Sequence, residues 1–293
     1  MNTIAVTELT LKLPHIQLAA TEYGDAHKPL LLALHGWLDN ASSFAPLAEV
    51  LTDYRLLAID WPGHGDSQHR PGSYPLHWID YLYDLHGVLM HLKGQGVRPR
   101  AIIGHSLGGI VASAYLGSHP DATDALVLIE ALGPLTERPG KTPERLARSF
   151  DSHWQWVTST SEPKVYTSFD TVIEARHRLT GLDKAACELL LRRNFTVTEA
   201  GVVAKTDPRL KLDSPMRLTP AHGEAFIRGF ALPSLLLMGD SGYEQLKTLF
   251  ELSAPLYQNL TQVQLSGDHH LHMTHPQACA AAINAFLASQ AQG

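Results

Sequence analysis

The most informative segment of the chain is Gly104-His105-Ser106-Leu107-Gly108-Gly109, in which one serine stands between glycines. Residues 101–103 before it are apolar and predict a short buried strand, and residues 110–116 after it predict a helix. A serine on a tight turn from strand to helix is held clear of its own backbone, with its hydroxyl exposed. The helix that follows directs amide hydrogens and its positive dipole toward that hydroxyl. The pattern therefore predicts that Ser106 is a catalytic nucleophile.

The elements around this turn predict an α/β fold. Residues 30–34, 56–59 and 125–129 are continuous apolar runs, which are typical of strands buried on both faces. Helical spacing lies between these runs, so we expect a mainly parallel sheet covered by helices on both faces. Ligands of such sheets bind at the carboxyl ends of the strands. The polar residues that follow the predicted strands are His35, Asp60, Ser106 and Glu130.

The alternation stops after residue 132 and resumes at residue 234. The intervening segment is rich in proline, arginine and aromatic residues and shows helical stretches without a comparable series of strands. We therefore predict a core formed by residues 1–132 and 232–293, with a helical lid inserted as residues 133–231. The aromatic residues of this segment fit either an apolar acyl pocket or simple packing of the lid on the core.

The bulk composition limits the function classes. The 293 residues are 44% hydrophobic and 18% charged, as in soluble globular proteins, and the net charge of -6 argues against a nucleic-acid partner. No window approaches the roughly 18 consecutive apolar residues of a membrane span. Cys187 and Cys279 are far apart and predict reduced thiols, and the N-terminus shows no signal-peptide pattern. We expect a cytoplasmic protein with no membrane partner.

With these pieces placed, the chain resembles the α/β-hydrolase superfamily over essentially its whole length. The resemblance is carried by four segments, which are His35-Gly36-Trp37, Asp60-Trp61-Pro62-Gly63-His64-Gly65-Asp66-Ser67, the Ser106 hexapeptide, and Gly267-Asp268-His269 with Met273 and Pro276. Within the superfamily, residues 35–40 and Asp207-Pro208-Arg209-Leu210 are most similar to the serine-hydrolase-like subgroup.

The resemblance implies a catalytic base and an oxyanion hole for Ser106. The family carries its base on the loop after the last strand, where His269 fits better than His270, His272 or His275. The oxyanion donors are expected to be two backbone amides, those of Leu107 and Trp37. The side chains of His35, Asp60, His64 and His105 are expected to shape the pocket.

The acid partner of His269 is less regular. In most of the superfamily it follows the strand that here ends near Met238, at a position that in this chain is Gly242. Asp240 could substitute if the loop is shorter. Some relatives carry the acid after the preceding strand, about two dozen residues beyond the nucleophile, where this chain has Glu130. We favour Glu130 over Asp240, because an acid that closes a buried strand needs a partner.

These residues predict a serine hydrolase that cleaves a small or medium carboxylic ester or thioester through an acyl-enzyme. No cofactor is expected, and no metal site, because the four histidines near residue 270 have no carboxylate or thiolate at a recognisable spacing. A carbon–carbon bond hydrolase would use the same triad. The alternative from another class is a ligand-binding or signalling protein with little turnover, and the irregular acid position is the only sequence feature that points to it. The sequence leaves the substrate and the oligomeric state open.

Overall fold

The computed structural model describes residues 4–160 and 162–290. Its strands are β1 (Val6–Lys12), β2 (Gln17–Tyr23), β3 (Leu30–Leu34), β4 (Arg55–Ile59), β5 (Ala101–His105), β6 (Leu126–Ile129), β7 (Val165–Tyr166), β8 (Phe195–Thr198), β9 (Gly201–Ala204), β10 (Ser234–Gly239) and β11 (Leu260–Leu265). Eight of them form the central sheet in the order β1-β2-β4-β3-β5-β6-β10-β11. Only the pairings of β2 with β1 and with β4 are antiparallel in this sheet. The predicted, mainly parallel sheet is confirmed.

Helices cover both faces of this sheet. The α-helices are α1 (Ala45–Ala48), α2 (Asp80–Gly94), α3 (Leu107–Ser118), α4 (Thr142–Val157), α5 (Phe169–Thr180), α6 (Lys184–Asn194), α7 (Pro220–Ile227), α8 (Glu244–Ser253), α9 (Leu271–Thr274) and α10 (Pro276–Ser289). The apolar side chains of α2, α3, α7 and α8 pack on one face, and those of α1, α9 and α10 pack on the other. No helix within the described residues is long and apolar enough to cross a membrane.

The continuous apolar runs arise because each central strand serves two cores at once. Leu30, Leu32 and Leu34 of β3 pack in the cluster under α2 and α3, whereas Leu31 and Ala33 pack in the cluster under α1 and α10. Successive side chains of a strand point to opposite faces. A strand buried on both faces therefore has no polar positions between its apolar ones, which is the pattern found in the sequence.

Segment 133–231 contains α4 to α7 and also a second, three-stranded antiparallel sheet in the order β7-β9-β8. The sequence predicted a helical insertion without a comparable series of strands, so this small sheet was not predicted. The three strands are two to four residues long, and β8 is largely exposed. Such short strands show no periodicity that could be read from the sequence. This sheet and α5 and α6 share a small apolar core that includes Val172, Leu190 and Val202.

Candidate active site

Ser106 lies on a strained turn between β5 and α3. Its backbone has φ 48° and ψ −115°, a conformation that L-residues rarely adopt. The glycines beside it are required by space. A Cβ on Gly104 would lie 2.5 Å from the backbone of Gly109, and one on Gly108 would lie 2.0 Å from the carbonyl oxygen of Leu34. The sequence therefore carries glycine where the helix must begin directly against the neighbouring strands.

Backbone strain is concentrated at the same edge of the sheet. Within residues 4–160 and 162–290, the non-glycine residues with positive φ are Leu38 (61°), Ser106 (48°) and Glu130 (50°). They lie in the loops or turns that follow β3, β5 and β6, three neighbouring strands of the sheet. Residues in such conformations cost roughly 1–3 kcal/mol each and cluster at functional sites. The strained residues therefore mark the carboxyl end of the sheet as the candidate functional site.

The imidazole of His269 faces the carboxylate of Glu130. Its Nδ1 lies 3.3 Å from Oε2 of Glu130, whose Oε1 accepts a hydrogen bond of 2.7 Å from the Gly239 amide. Glu130 is 2% exposed, and so its carboxylate depends on these two partners. An ionised carboxylate can only accept, so it fixes the proton of His269 on Nδ1. The lone pair of Nε2 is then available to a second group.

Asp240, the other candidate acid, lies on the surface. Its Oδ1 accepts hydrogen bonds from the amide of Gly267, at 3.1 Å, and from the hydroxyl of Ser241, at 2.9 Å. These contacts close the turn after β10 against the loop that carries His269. The structure thus brings Glu130 against the histidine and gives Asp240 the geometry of a turn residue.

The two predicted oxyanion donors are the backbone amides of Leu107 and Trp37, residues that line a cavity together with Ser106. Leu107 is the first residue of α3, so its amide has no acceptor within the helix. Trp37 follows Gly36 in a turn that is closed by the Asp39 amide and the Gly36 carbonyl at 3.2 Å. The Trp37 amide takes no part in that turn hydrogen bond. Trp37, Ser106 and Leu107 line one cavity.

Ser106 stands at the junction of two cavities. The larger, of about 660 Å³, is also lined by His269 and by apolar side chains of segment 133–231, among them Val172, Leu179 and Leu191. The smaller, of about 370 Å³, is lined by a different apolar set, which includes Leu76, Trp78 and Ile110. Both volumes fall in the range of small-molecule sites, roughly 300–1,000 Å³.

A family model described as the alpha/beta hydrolase fold matches residues 29–194, more than half of the chain. The chain belongs to the α/β-hydrolase family. Human "serine hydrolase-like protein 2" is 30% identical over 96% of this α/β-hydrolase and 94% of its own length. The resemblance to the serine-hydrolase-like subgroup is thereby confirmed, and family membership supports a hydrolase.

Two further relatives extend the comparison. The crystal structure of a hypothetical protein from Pseudomonas aeruginosa PAO1 has a TM-score of 0.86 and 34% identity, and the match covers 96% of this chain and 99% of that one. A mouse protein named as an sn-1-specific diacylglycerol lipase is 33% identical over 120 residues, which are 40% of this chain and 37% of its own.

Three of the predicted pocket residues of this α/β-hydrolase do not line either cavity at Ser106. His35, Asp60 and His64 are fully buried, and burial lowers the pKa of His35 to about 4 and that of His64 to about 3. His35 accepts from the Trp61 amide at 3.0 Å, and Asp60 accepts from the Ala41 amide at 2.7 Å. These side chains hold the loops together, which corrects the prediction that they shape the pocket. His105, the fourth, does line the larger cavity.

A charged network that was not predicted from the sequence lines the same cavity as Ser106. Asp39, 2% exposed, accepts from Arg176 of α5 through Oδ1 at 2.5 Å and from His270 through Oδ2 at 3.2 Å. Burial alone would raise the pKa of Asp39, but the charges of His270 and Arg176 hold it well below its ordinary value. Burial likewise opposes protonation of His270, yet Asp39 raises its pKa. Arg176 and His270 are 137 and 231 positions from Asp39 in the chain, so no local sequence pattern could predict these contacts.

Proposed function

We propose that this α/β-hydrolase cleaves a carboxylic ester or thioester through an acyl-enzyme on Ser106. The observation that carries the proposal is that Ser106, on a strained turn, lines the same cavity as His269, whose Nδ1 faces the buried carboxylate of Glu130. A serine hydroxyl is a weak nucleophile and needs a base that is itself oriented by a third group. Glu130, His269 and Ser106 have the residue types for that arrangement.

The proposed reaction has two halves. In the first, Ser106 Oγ attacks the acyl carbon while its proton passes to Nε2 of His269, and the amides of Trp37 and Leu107 stabilise the oxyanion. His269 then gives the proton to the departing alcohol or thiol. In the second half His269 takes a proton from a water molecule, which attacks the acyl carbon. The acyl–Oγ bond then breaks, His269 returns the proton to Ser106 Oγ, and the carboxylic acid departs. Glu130 stabilises the imidazolium in both halves.

The two cavities support an ester-like substrate with an apolar group on each side of the reacting carbon. Ser106 lines both, so one cavity can hold the acyl chain and the other the leaving group. Volumes of about 660 and 370 Å³ suit small or medium groups. The mouse relative is named as a lipase, which is a kind of ester hydrolase, and that name agrees with this chemistry.

The proposal is tested by steady-state hydrolysis of p-nitrophenyl esters and acyl thioesters of increasing chain length. Ser106→Ala is expected to lower kcat/KM by at least about 1,000-fold, because it removes the nucleophile. The control is Ser118→Ala, which replaces an exposed serine at the end of α3, the helix that follows Ser106. This variant is expected to retain activity. Hydrolysis that survives in Ser106→Ala would contradict the proposal. Absence of turnover of both substrate classes by the folded protein would favour a ligand-binding function.

A further inference from the structure

Beside the Ser106 cavity lies a cluster of three side chains with metal-ligating atoms, from Asp39, His105 and His270. One donor atom of each lies within 4.8 Å of the others. Oδ2 of Asp39 is 3.2 Å from Nε2 of His270 and 3.6 Å from Nδ1 of His105. All three side chains are buried. They come from three separate parts of the chain, so only the fold brings them together.

The hydrogen bonds of His105 leave one of its nitrogens with an unused lone pair. Its Nε2 lies 2.9 Å from the carbonyl oxygen of His269, which can only accept, so Nε2 carries the proton. Nδ1 therefore has no proton when the ring is neutral, and burial holds the pKa of His105 well below its ordinary value. Nδ1 is buried without a hydrogen-bond partner and faces the carboxylate of Asp39. A cation between Nδ1 of His105 and the carboxylate of Asp39 would give both acceptors a partner.

Space is open beside these two donor atoms. A Cβ on Gly36 would lie 2.9 Å from Nδ1 of His105 and 3.1 Å from Oδ2 of Asp39. Glycine at position 36 thus keeps a side chain away from both. Gly36, Asp39, His105 and His270 all line the 660 Å³ cavity, which gives an ion and a water molecule access.

We propose that Asp39, His105 and His270 form a binding site for one divalent transition-metal ion of the zinc class. Two imidazoles and one carboxylate are a ligand set that suits Zn²⁺, and water from the cavity can supply a fourth ligand. Zinc bonds of about 2.0–2.2 Å in tetrahedral geometry separate neighbouring ligand atoms by roughly 3.3 Å. The separations of 3.2 and 3.6 Å from Asp39 Oδ2 are close to that value.

The arrangement requires little rearrangement to accept the ion. Arg176 contacts Oδ1 of Asp39, whereas Oδ2 faces the two imidazoles and holds only the hydrogen bond from His270. His270 would give up its Nε2 proton to solvent, as ligating imidazoles must.

The test is titration of the full chain with Zn²⁺ by calorimetry, and with Co²⁺ by visible absorption, which is intense only for low-coordinate Co²⁺. We expect one ion per chain, with an intense Co²⁺ band. His270→Gln and Asp39→Asn should each weaken binding by at least about 100-fold. Loss of a group that only hydrogen-bonds to a metal ligand lowers metal affinity by roughly 10–100-fold, and loss of a ligand should cost more. His275→Gln replaces an exposed histidine at the other end of α9 and should bind within about 3-fold of the unmodified protein.

The same titrations are made with Ser106→Ala, which should bind the ion equally well whether or not the protein is a hydrolase. The proposal is overturned if the unmodified protein binds no ion, or if its bound Co²⁺ keeps the pale spectrum of the hydrated ion. It is also overturned if His275→Gln weakens binding as much as His270→Gln does. The Co²⁺ spectrum needs only the unmodified chain, so this part of the test does not depend on the folding of a variant.

Discussion

The carboxylate of Glu130 fills the space in which a side chain at Gly242 would begin. A Cβ built on Gly242 would lie 2.5 Å from Oε2 and 2.8 Å from Oε1 of Glu130. Position 242 is where the resemblance places the usual acid of the family. The carboxylate of Glu130 therefore reaches, from the end of β6, the space that an acid at position 242 would enter from the loop after β10. Only one of the two positions can carry it.

Removing the charge of Glu130 should slow catalysis far more than removing that of Asp240. We expect Glu130→Gln to lower kcat by roughly 100- to 10,000-fold, because His269 loses the group that fixes its tautomer and stabilises its cation. Asp240→Asn should stay within about 2-fold, because its contacts are to the turn around Gly267. The measurement is kcat on the best ester. Equal losses in the two variants would contradict the assignment of Glu130.

Moving the acid from position 130 to position 242 should restore part of the activity. Gly242→Asp alone is expected to be inactive or unstable, because its Cβ would collide with the carboxylate of Glu130. In the double variant Glu130→Gly with Gly242→Asp, that collision is absent, and glycine suits the φ of 50° at position 130. We expect the double variant to exceed Glu130→Gly in kcat by at least about 10-fold. A double variant no more active than Glu130→Gly would argue against the equivalence of the two positions.

Much of this site follows from local sequence, and the remainder from contacts that no local pattern contains. Ser106 is predictable because the strand, the glycines and the helix are adjacent in the chain. Glu130 is predictable because it closes a buried strand, although only the fold shows that Gly242 leaves room for it. The Asp39 network is not predictable, because Arg176 and His270 are 137 and 231 positions away. His35, Asp60 and His64 were predicted to shape the pocket, but a polar residue near a strand end can equally be buried and form hydrogen bonds to the neighbouring loops.

Arg176 should be required for the conformation of the loop that carries Trp37. Its guanidinium donates to Oδ1 of Asp39 and, at 3.2 Å, to the carbonyl of Leu38, a residue with φ 61°. Arg176→Met should lower the free energy of unfolding by roughly 3 kcal/mol, because a buried carboxylate loses a charged partner. It should also lower kcat/KM. The measurements are urea unfolding and ester hydrolysis.

The matched control for Arg176 is Arg178→Met on the same helix. Arg178 pairs with Glu174 at the surface, so its loss should cost less than about 1 kcal/mol. Similar losses of stability in the two variants would show that the Asp39 contact has no special importance.

Buried histidines should make the fold sensitive to acid. Burial lowers the pKa of His272 to about 3, and both of its ring nitrogens lack hydrogen-bond partners. Between that value and about 6.5, the unfolded chain binds a proton that the folded chain does not, so stability falls as the pH falls. His272→Leu should reduce this slope by about 1.4 kcal/mol per pH unit from roughly pH 4 to 6.

The slope is measured by urea unfolding at a series of pH values. His27→Leu serves as the control, because His27 is exposed and its replacement should leave the slope unchanged. An unchanged slope in His272→Leu would mean that His272 accepts a proton in the folded state.

The most direct test of the central claim is the rate at which a fluorophosphonate labels the protein, followed by intact mass and peptide mapping. An activated Ser106 predicts a single, fast label on Ser106 that is absent in Ser106→Ala. The same account predicts labelling slowed by about 100-fold in Glu130→Gln and unchanged in Asp240→Asn. A folded protein that takes no label, or takes it on another residue, would contradict the claim that Glu130, His269 and Ser106 act together.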